Sequence, residues 1–257
     1  MSGEVKVMLT EERHQRILTL LKRQDVVKTK ELMNDMAVSE STIRRDLQEM
    51  EEAGVLKRVH GGAKGVIKLE AEMNMGEKAF KNVQEKQAIA EYAASLVNDG
   101  DFIFLDAGTT TYDMLPFLQD KGIHVITNSV HHASLSVDLG ILTTMLGGQV
   151  RMPTKAATSS QTIEQIRTCY FDKAFMGTNG IHINYGYTTA DKEEAATKKA
   201  AMEQAQYSYI LADHSKFNKV NFSKMGNIED AWIITDKLTE AVPATLTQET
   251  IIKEVLK

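Results

Sequence analysis

Two sets of residues in this 257-residue chain have types and spacings that could do chemistry. The first starts at Asp106-Ala-Gly-Thr-Thr-Thr111, a glycine turn followed by three hydroxyls at an expected helix start. Backbone donors and hydroxyls so placed favour an anion, and phosphate is the natural guest. No Lys follows in a GxxxxGK spacing, so this is not an ATP-binding loop. Comparable small, polar endings recur downstream: Asn128 and Ser129; Gly147 and Gly148 with Arg151 nearby; Gly177, Asn179 and Gly180; Asp213 and Lys216. Glu194 and Lys198 stand four apart, so they can pair on one helical face, and Asp191 can cap that helix. The second set is cationic. Ser41, Arg44, Arg45 and Gln48 recur every three or four residues, which projects hydroxyl, guanidinium and amide groups together from one side of a helix. Such groups can read base edges and phosphates.

The elements that would position these groups are legible around them. Residues 38–54 carry a helix's start, faces and stop. Ser39 is the N-cap, Ile43, Leu47 and Met50 form a buried stripe, and Gly54 suits a left-handed C′ position. Ahead of it, Thr10 opens a helix with Ile17, Leu18 and Leu21 on one side, and Thr29 caps a second with Leu32, Met33 and Met36. About three residues join the second helix to the third, which is a helix-turn-helix spacing. After Gly54, residues 55–62 read as a strand running into a glycine turn, bringing Lys57, Arg58 and His60 beside the third helix as a wing that touches DNA backbone or minor groove.

From residue 82 onward the chain alternates. A helix at 82–98, with Ile89, Ala93, Leu96 and Val97 inward, precedes strands at 102–105, 124–127, 142–146, 173–176, 207–212 and 231–235, with helices between most of them. That alternation implies a mainly parallel sheet covered on both faces. Ligands of such sheets sit beyond the carboxyl ends of the strands, where the polar endings above would converge. The expected organisation is α/β overall: a winged helix-turn-helix at 10–65, a linker at 66–81, and a larger domain at 82–257.

Composition agrees with a folded protein, at 42% hydrophobic and 25% charged residues. The net charge of -5 divides unevenly: residues 1–65 hold 12 Lys and Arg against 11 Asp and Glu, leaving 18 against 24 for the rest. Binding of nucleic acid must therefore rest on where the cations sit. The single Cys169 excludes an internal disulfide, and no metal-ligand spacing is present, so neither a metal nor a cofactor is expected. Without a run of signal-peptide or membrane-span length, a cytoplasmic protein without membrane contact is expected.

The runs Glu12-Arg-His-Gln-Arg-Ile-Leu18, Ser39-Glu-Ser-Thr-Ile-Arg-Arg-Asp-Leu47 and Gly54-Val-Leu-Lys-Arg-Val-His-Gly-Gly-Ala63 resemble the winged helix of the DeoR family of bacterial transcriptional regulators. The resemblance implies that Ser41, Thr42, Arg44 and Arg45 face operator DNA, with Lys57, Arg58 and His60 on its backbone. Asp106-Ala-Gly-Thr-Thr-Thr111, Leu146-Gly-Gly-Gln-Val-Arg151, the Gly-x-Thr-Thr-x-Asp run ending at Asp191, and Asp213-His-Ser-Lys-Phe217 are similar to the sensor half of that family. The sensor resembles ribose-5-phosphate isomerase and glucosamine-6-phosphate deaminase folds, which implies a phosphorylated sugar as effector. In that likeness Asp106, Gly108, Thr109, Thr110 and Thr111 cradle the phosphate or hydroxyls, and Asn128, Glu194, Lys198 and Lys216 close the site. Within the family the N-terminal text is most similar to repressors of fructose-uptake operons in Gram-positive bacteria, implying fructose 1-phosphate as inducer, with tagatose and other hexose phosphates open.

A two-fold operator would suit a homodimer or homotetramer. The competing class is an isomerase- or deaminase-like enzyme, because a carboxylate and a Lys beside a phosphate could move protons between adjacent carbons. A constitutive architectural DNA protein would have no use for a polar pocket.

Overall fold

The computed structural model describes residues 8–24, 26–66, 69, 75–239, 242, 243 and 245–256. They form two compact units, one holding residues 8–24, 26–66, 242 and 243 and the other residues 69, 75–239 and 245–256.

In the smaller unit, α1 (Thr10–Arg23), β1 (Val26–Lys28), α2 (Thr29–Met36), α3 (Glu40–Glu52), β2 (Leu56–Val59) and β3 (Gly62–Gly65) follow in order. Ile17, Leu32, Met36, Ile43, Leu47 and Met50 are buried together with Val27, Leu56 and Ala63, so the expected stripes do face one another. Ser39 caps α3 by accepting the Thr42 N–H (3.3 Å). Ala37, at φ 52°, turns the chain between α2 and α3, and Gly54, at φ 68°, ends α3 in the left-handed region. Two details differ from the sequence reading. Thr10 and Thr29 are the first helical residues rather than caps, and the preceding N–H groups of Leu9 and Lys28 are taken by Glu12 and Glu31 three residues on. Strand β1 was not expected, yet it pairs with β3, which pairs with β2, in a three-stranded antiparallel sheet. A three-residue strand is too short to show period-two alternation.

One ion pair crosses this core. The buried Arg13 guanidinium grips the buried Asp46 carboxylate through both oxygens (2.6 and 2.8 Å), fixing α1 to α3 on the side away from Arg44.

The larger unit contains α4 (Met75–Ala79), α5 (Val83–Ser95), β4 (Phe102–Leu105), α6 (Thr109–Tyr112), β5 (His124–Thr127), α7 (Val130–Asp138), β6 (Leu142–Met145), α8 (Ser160–Arg167) and β7 (Phe171–Gly177). It continues with β8 (Gly180–His182), β9 (Gly186–Thr189), α9 (Lys192–Glu203), β10 (Ala205–Leu211), β11 (Ser223–Gly226), β12 (Trp232–Thr235), α10 (Leu246–Glu249) and β13 (Ile252–Glu254). Seven strands form a wholly parallel sheet in the order β13-β12-β10-β7-β4-β5-β6. Ile103, Leu105, Val125, Phe175, Tyr209, Leu211 and Ile234 of the sheet bury against Ile89, Ala93 and Val97 of the α5 segment, while Leu96 is only half-buried. The chain steps outward from β4 through β5 to β6 and then returns to β7 on the other side of β4. That reversal opens a crevice at the carboxyl ends of β4 and β7.

Two features were not read from the sequence: β13, and a small antiparallel sheet β11-β9-β8. Residues 75–79, read as linker, fold as α4 within the larger unit. No helix of the described residues is long and apolar enough to cross a membrane.

Candidate functional site

The crevice between β4 and β7 holds a cavity of about 370 Å³. Its floor is set by glycine. Gly108 and Gly177 face each other closely enough that a Cβ on Gly108 would lie 3.7 Å from the Gly177 Cα, and the Gly177 N–H donates to the Asp106 carboxylate (3.1 Å). Lys198 of α9 reaches down to the same carboxylate and to the Gly177 carbonyl (3.1 Å). Asp106 thus ties the ends of two sheet strands to a helix 92 residues away in sequence.

Of the residues expected to bind an effector, Asp106, Gly108, Thr109, Thr110, Asn128, Gly177, Asn179, Glu194, Lys198, Asp213 and Lys216 line this cavity. Thr111, Ser129, Gly147, Gly148, Arg151, Gly180 and Asp191 do not, and each has another task. The Thr111 hydroxyl donates to the Asp106 carbonyl (2.6 Å) and lies 3.1 Å from His132 Nε2. Ser129 caps α7 and bonds His132 Nδ1 (2.8 Å). The Gly147 N–H and carbonyl are held by Gln165 (3.0 Å) and Thr162 (2.8 Å) of α8, and the open side of Gly148 faces Thr162. Gly180 packs against the Lys219 carbonyl, and Asp191 caps α9 by accepting from Glu193 and Glu194 N–H. Arg151 stands behind the wall, bonded to Glu194 (2.6 Å). The expected Glu194–Lys198 pair is not formed. Glu194 binds Arg151 and Thr154 (2.7 Å) while Lys198 binds Asp106, because a buried partner across the fold outcompetes a neighbour one turn along.

His132 links the endings of β4 and β5. Fully buried between Thr111 and Ser129, and edge-on to Tyr112, it is pushed down to about 4 by burial, which outweighs the charge of Asp106. It is therefore neutral at physiological pH and holds the Asp106 and Asn128 endings together by hydrogen bonds alone.

Several lining residues were missed by sequence reasoning. Lys78 and Lys81 come from α4 and the turn after it, and Asn82 and Lys86 from the start of α5. Thr154, Thr178, Thr189, Ser215, Lys219 and Asn221 complete the polar wall. Lys78 donates to Asn179 (3.1 Å). Burial pulls the Lys86 ammonium below its usual value, against the pull of Asp113 and Asp213. Burial alone would push Asp213 up, but Ser215, Lys216 and Asn82 (2.8 Å) together hold it below the usual carboxylate range. Two buried side-chain atoms of this wall have no hydrogen-bond partner: Asn128 Oδ1, an acceptor, and Asn221 Nδ2, a donor. The local signal for Asn128 was its place after a strand. Asn221 and the lysines carry no such signal.

On the smaller unit, Arg44, Arg45, Gln48, Lys57, Arg58 and His60 are all exposed. Arg58 shares a shallow surface hollow with Arg44, Arg45 and Gln48, which places wing and helix side by side. Its backbone N–H is anchored on Glu51 of α3 (2.7 Å). Ser39, Ser41 and Thr42 form a hydroxyl cluster at the head of α3, 2.8 to 2.9 Å apart.

The comparisons with known proteins follow this division. A model of the DeoR-like helix-turn-helix domain matches residues 13–67, and a model of the DeoR C-terminal sensor domain matches residues 81–237. The chain is 45% identical to the HTH-type transcriptional regulator FruR of Bacillus subtilis, over 96% of this chain and 99% of that one. It is 34% identical to the HTH-type transcriptional repressor GlcR of the same organism, over 90% of each. A lactose phosphotransferase system repressor of Staphylococcus epidermidis is 33% identical, over 83% of this chain and 86% of the relative. Among solved structures, ribose 5-phosphate isomerase A from Methanocaldococcus jannaschii aligns with 54% of this chain and 56% of its own at 20% identity and a TM-score of 0.42, a likeness too slight to carry an inference. With a matching reader, a matching sensor and relatives that span nearly its whole length, the chain belongs to the DeoR family of helix-turn-helix transcriptional regulators.

Proposed function

We propose that this protein represses a sugar-utilisation operon, most specifically one for fructose uptake, and that a sugar phosphate such as fructose 1-phosphate releases it from the operator. The observation that carries the ligand class is the orphaned pair Asn128 Oδ1 and Asn221 Nδ2 on the cavity wall. A buried polar atom without a partner costs about 1–3 kcal/mol, so an acceptor and a donor left open in one cavity favour a ligand bearing hydroxyls. The charge of the same wall favours an anion: Lys78, Lys81, Lys86, Lys198, Lys216 and Lys219 outnumber Asp106, Glu194 and Asp213. A phosphorylated polyol answers both.

Fructose 1-phosphate is the first candidate because the reader's text resembles repressors of fructose-uptake operons. The 33% identity to lactose phosphotransferase system repressors supports another hexose phosphate as the second reading. In either case the effector shifts the population of DNA-competent conformations. A coupling free energy of about 1–3 kcal/mol suffices for a 5- to 150-fold change in operator affinity. Two readers in a two-fold dimer would match a two-fold operator.

The test is a thermal-shift panel of sugar phosphates followed by DNA retardation with each hit. A true effector at 100 times its dissociation constant stabilises the protein by about 2.7 kcal/mol and releases the DNA. A panel without hits would refute the ligand class. Steady turnover of a hexose or pentose phosphate above about 1 per second would instead place the protein among enzymes.

A further inference from the structure

The arginines and the glutamine of the reading face are not bare. Arg44 is bonded to Glu40 (Nη2 to Oε1, 2.6 Å; Nε to Oε1, 2.8 Å), Arg45 to Glu49 (3.0 Å) and Gln48 to Glu52 (3.1 Å), each partner four residues away on α3. Every one of these side chains is exposed, and Glu49 and Glu52 share the hollow that also holds Arg58. The exposed face of α3 thus presents two guanidinium charges against four carboxylates, three of them paired to these side chains and the fourth, Glu51, accepting the Arg58 backbone N–H. A surface meant only to hold a polyanion would not be built this way.

We infer that Glu40, Glu49 and Glu52 are specificity determinants of DNA recognition, acting as a filter against arbitrary duplex. This rests on the reading of α3 as the DNA-recognition helix. On arbitrary DNA the reader's chief partners are phosphates, for which a carboxylate has only repulsion. A carboxylate about 7 Å from one phosphate weakens binding roughly threefold even in bulk water. On a matched sequence the balance changes. Guanine O6 and N7 replace the carboxylate oxygens as acceptors for Arg44 and Arg45, and a released carboxylate can accept from cytosine N4. The exchange is easy because exposed i,i+4 pairs are weak. The filter therefore costs little at the operator and much elsewhere.

The experiment uses the full-length protein and two duplexes of equal length: one enriched by the wild type from a randomised library, and one arbitrary. Affinity for each is measured across a salt series for wild type, for Glu40→Gln, Glu49→Gln and Glu52→Gln singly and combined, and for Glu91→Gln on the sensor as a charge control. Glutamine matches glutamate in helix propensity, and far-UV circular dichroism checks that α3 persists. The expected result is that the triple variant binds arbitrary duplex at least about tenfold more tightly, with a salt slope steeper by about two to three. It should gain far less on the enriched duplex, so the ratio between the two collapses. Glu91→Gln should leave that ratio unchanged. An equal gain on both duplexes, or none on either, overturns the filter while leaving the recognition helix in place. Failure of the wild type to enrich any sequence would refute the recognition helix and the filter with it.

Discussion

Replacing His132 by glutamine should remove a pH dependence from the stability of the sensor. The imidazole is buried between Thr111 and Ser129 and held down to about 4, whereas in the unfolded chain it titrates near 6.5. Between these values the unfolded chain binds a proton that the folded one does not, so stability is complete above pH 6.5 and is lost as pH falls towards 4. The slope is about 1.4 kcal/mol per pH unit, and the full loss about 3 kcal/mol. Burial pushes Asp113 up and the neighbours of Asp213 hold it down, so other groups titrate too, in opposite senses. The difference between wild type and variant cancels them. At pH 7 the variant should be the less stable by about 2 kcal/mol, through imperfect replacement of two buried hydrogen bonds. The two should converge as pH falls and cross at about pH 5, where the loss in the wild type reaches about 2 kcal/mol. Urea unfolding followed by tryptophan fluorescence reports this unit specifically, because the single Trp232 lies on β12 between Tyr207 (5.9 Å) and Tyr209 (5.7 Å). Parallel stability curves for the two proteins from pH 7 to 4.5 would refute the buried neutral histidine.

Arg44→Ala should cost operator affinity about 1–3 kcal/mol while leaving sugar-phosphate thermal shifts intact, and unchanged DNA retardation would remove α3 from the interface. Lys216→Ala should yield a protein that still binds DNA yet no longer releases it on adding effector; a normal response would mean the pocket is misplaced. Asn221→Leu loses no internal hydrogen bond, so its melting temperature should hold or rise while effector affinity falls at least fivefold, read by calorimetry. Asp46→Asn strands the buried Arg13 and should destabilise the reader by about 3–5 kcal/mol, seen as early loss of helical signal on heating with the Trp232 transition unmoved.

Much of the reader was written locally. Ser39, Gly54 and the Ile43, Leu47, Met50 stripe each act within one or two turns of their own position, so spacing alone was enough to place α3 and its exposed arginines. The endings at Asp106, Asn128, Gly177 and Asp213 were legible for a related reason: a parallel sheet forces all of its strand ends to one edge, so finding the strands finds the edge. Which of those endings turn inward was not legible. Thr111 and Ser129 look like Thr110 and Asn128 in sequence, and their hydroxyls are taken out of the cavity by His132 between them, by the Asp106 carbonyl and by the cap of α7.

By itself the sequence determined the two-unit order, the helices and most strands, because hydrophobic period and capping are short-range properties of the chain. The tertiary structure alone decided partnership. Lys198 could have paired with Glu194 four residues away, an interaction worth only about 0.3–0.5 kcal/mol on a helix surface. Buried at the switch between β4 and β7, it binds Asp106 and the Gly177 carbonyl instead, since a charge removed from water must be matched by whatever the fold brings nearest. The tertiary structure likewise brings Lys78, Lys86 and Asn221, which nothing in their neighbourhoods marks, to the wall that Asp106 begins.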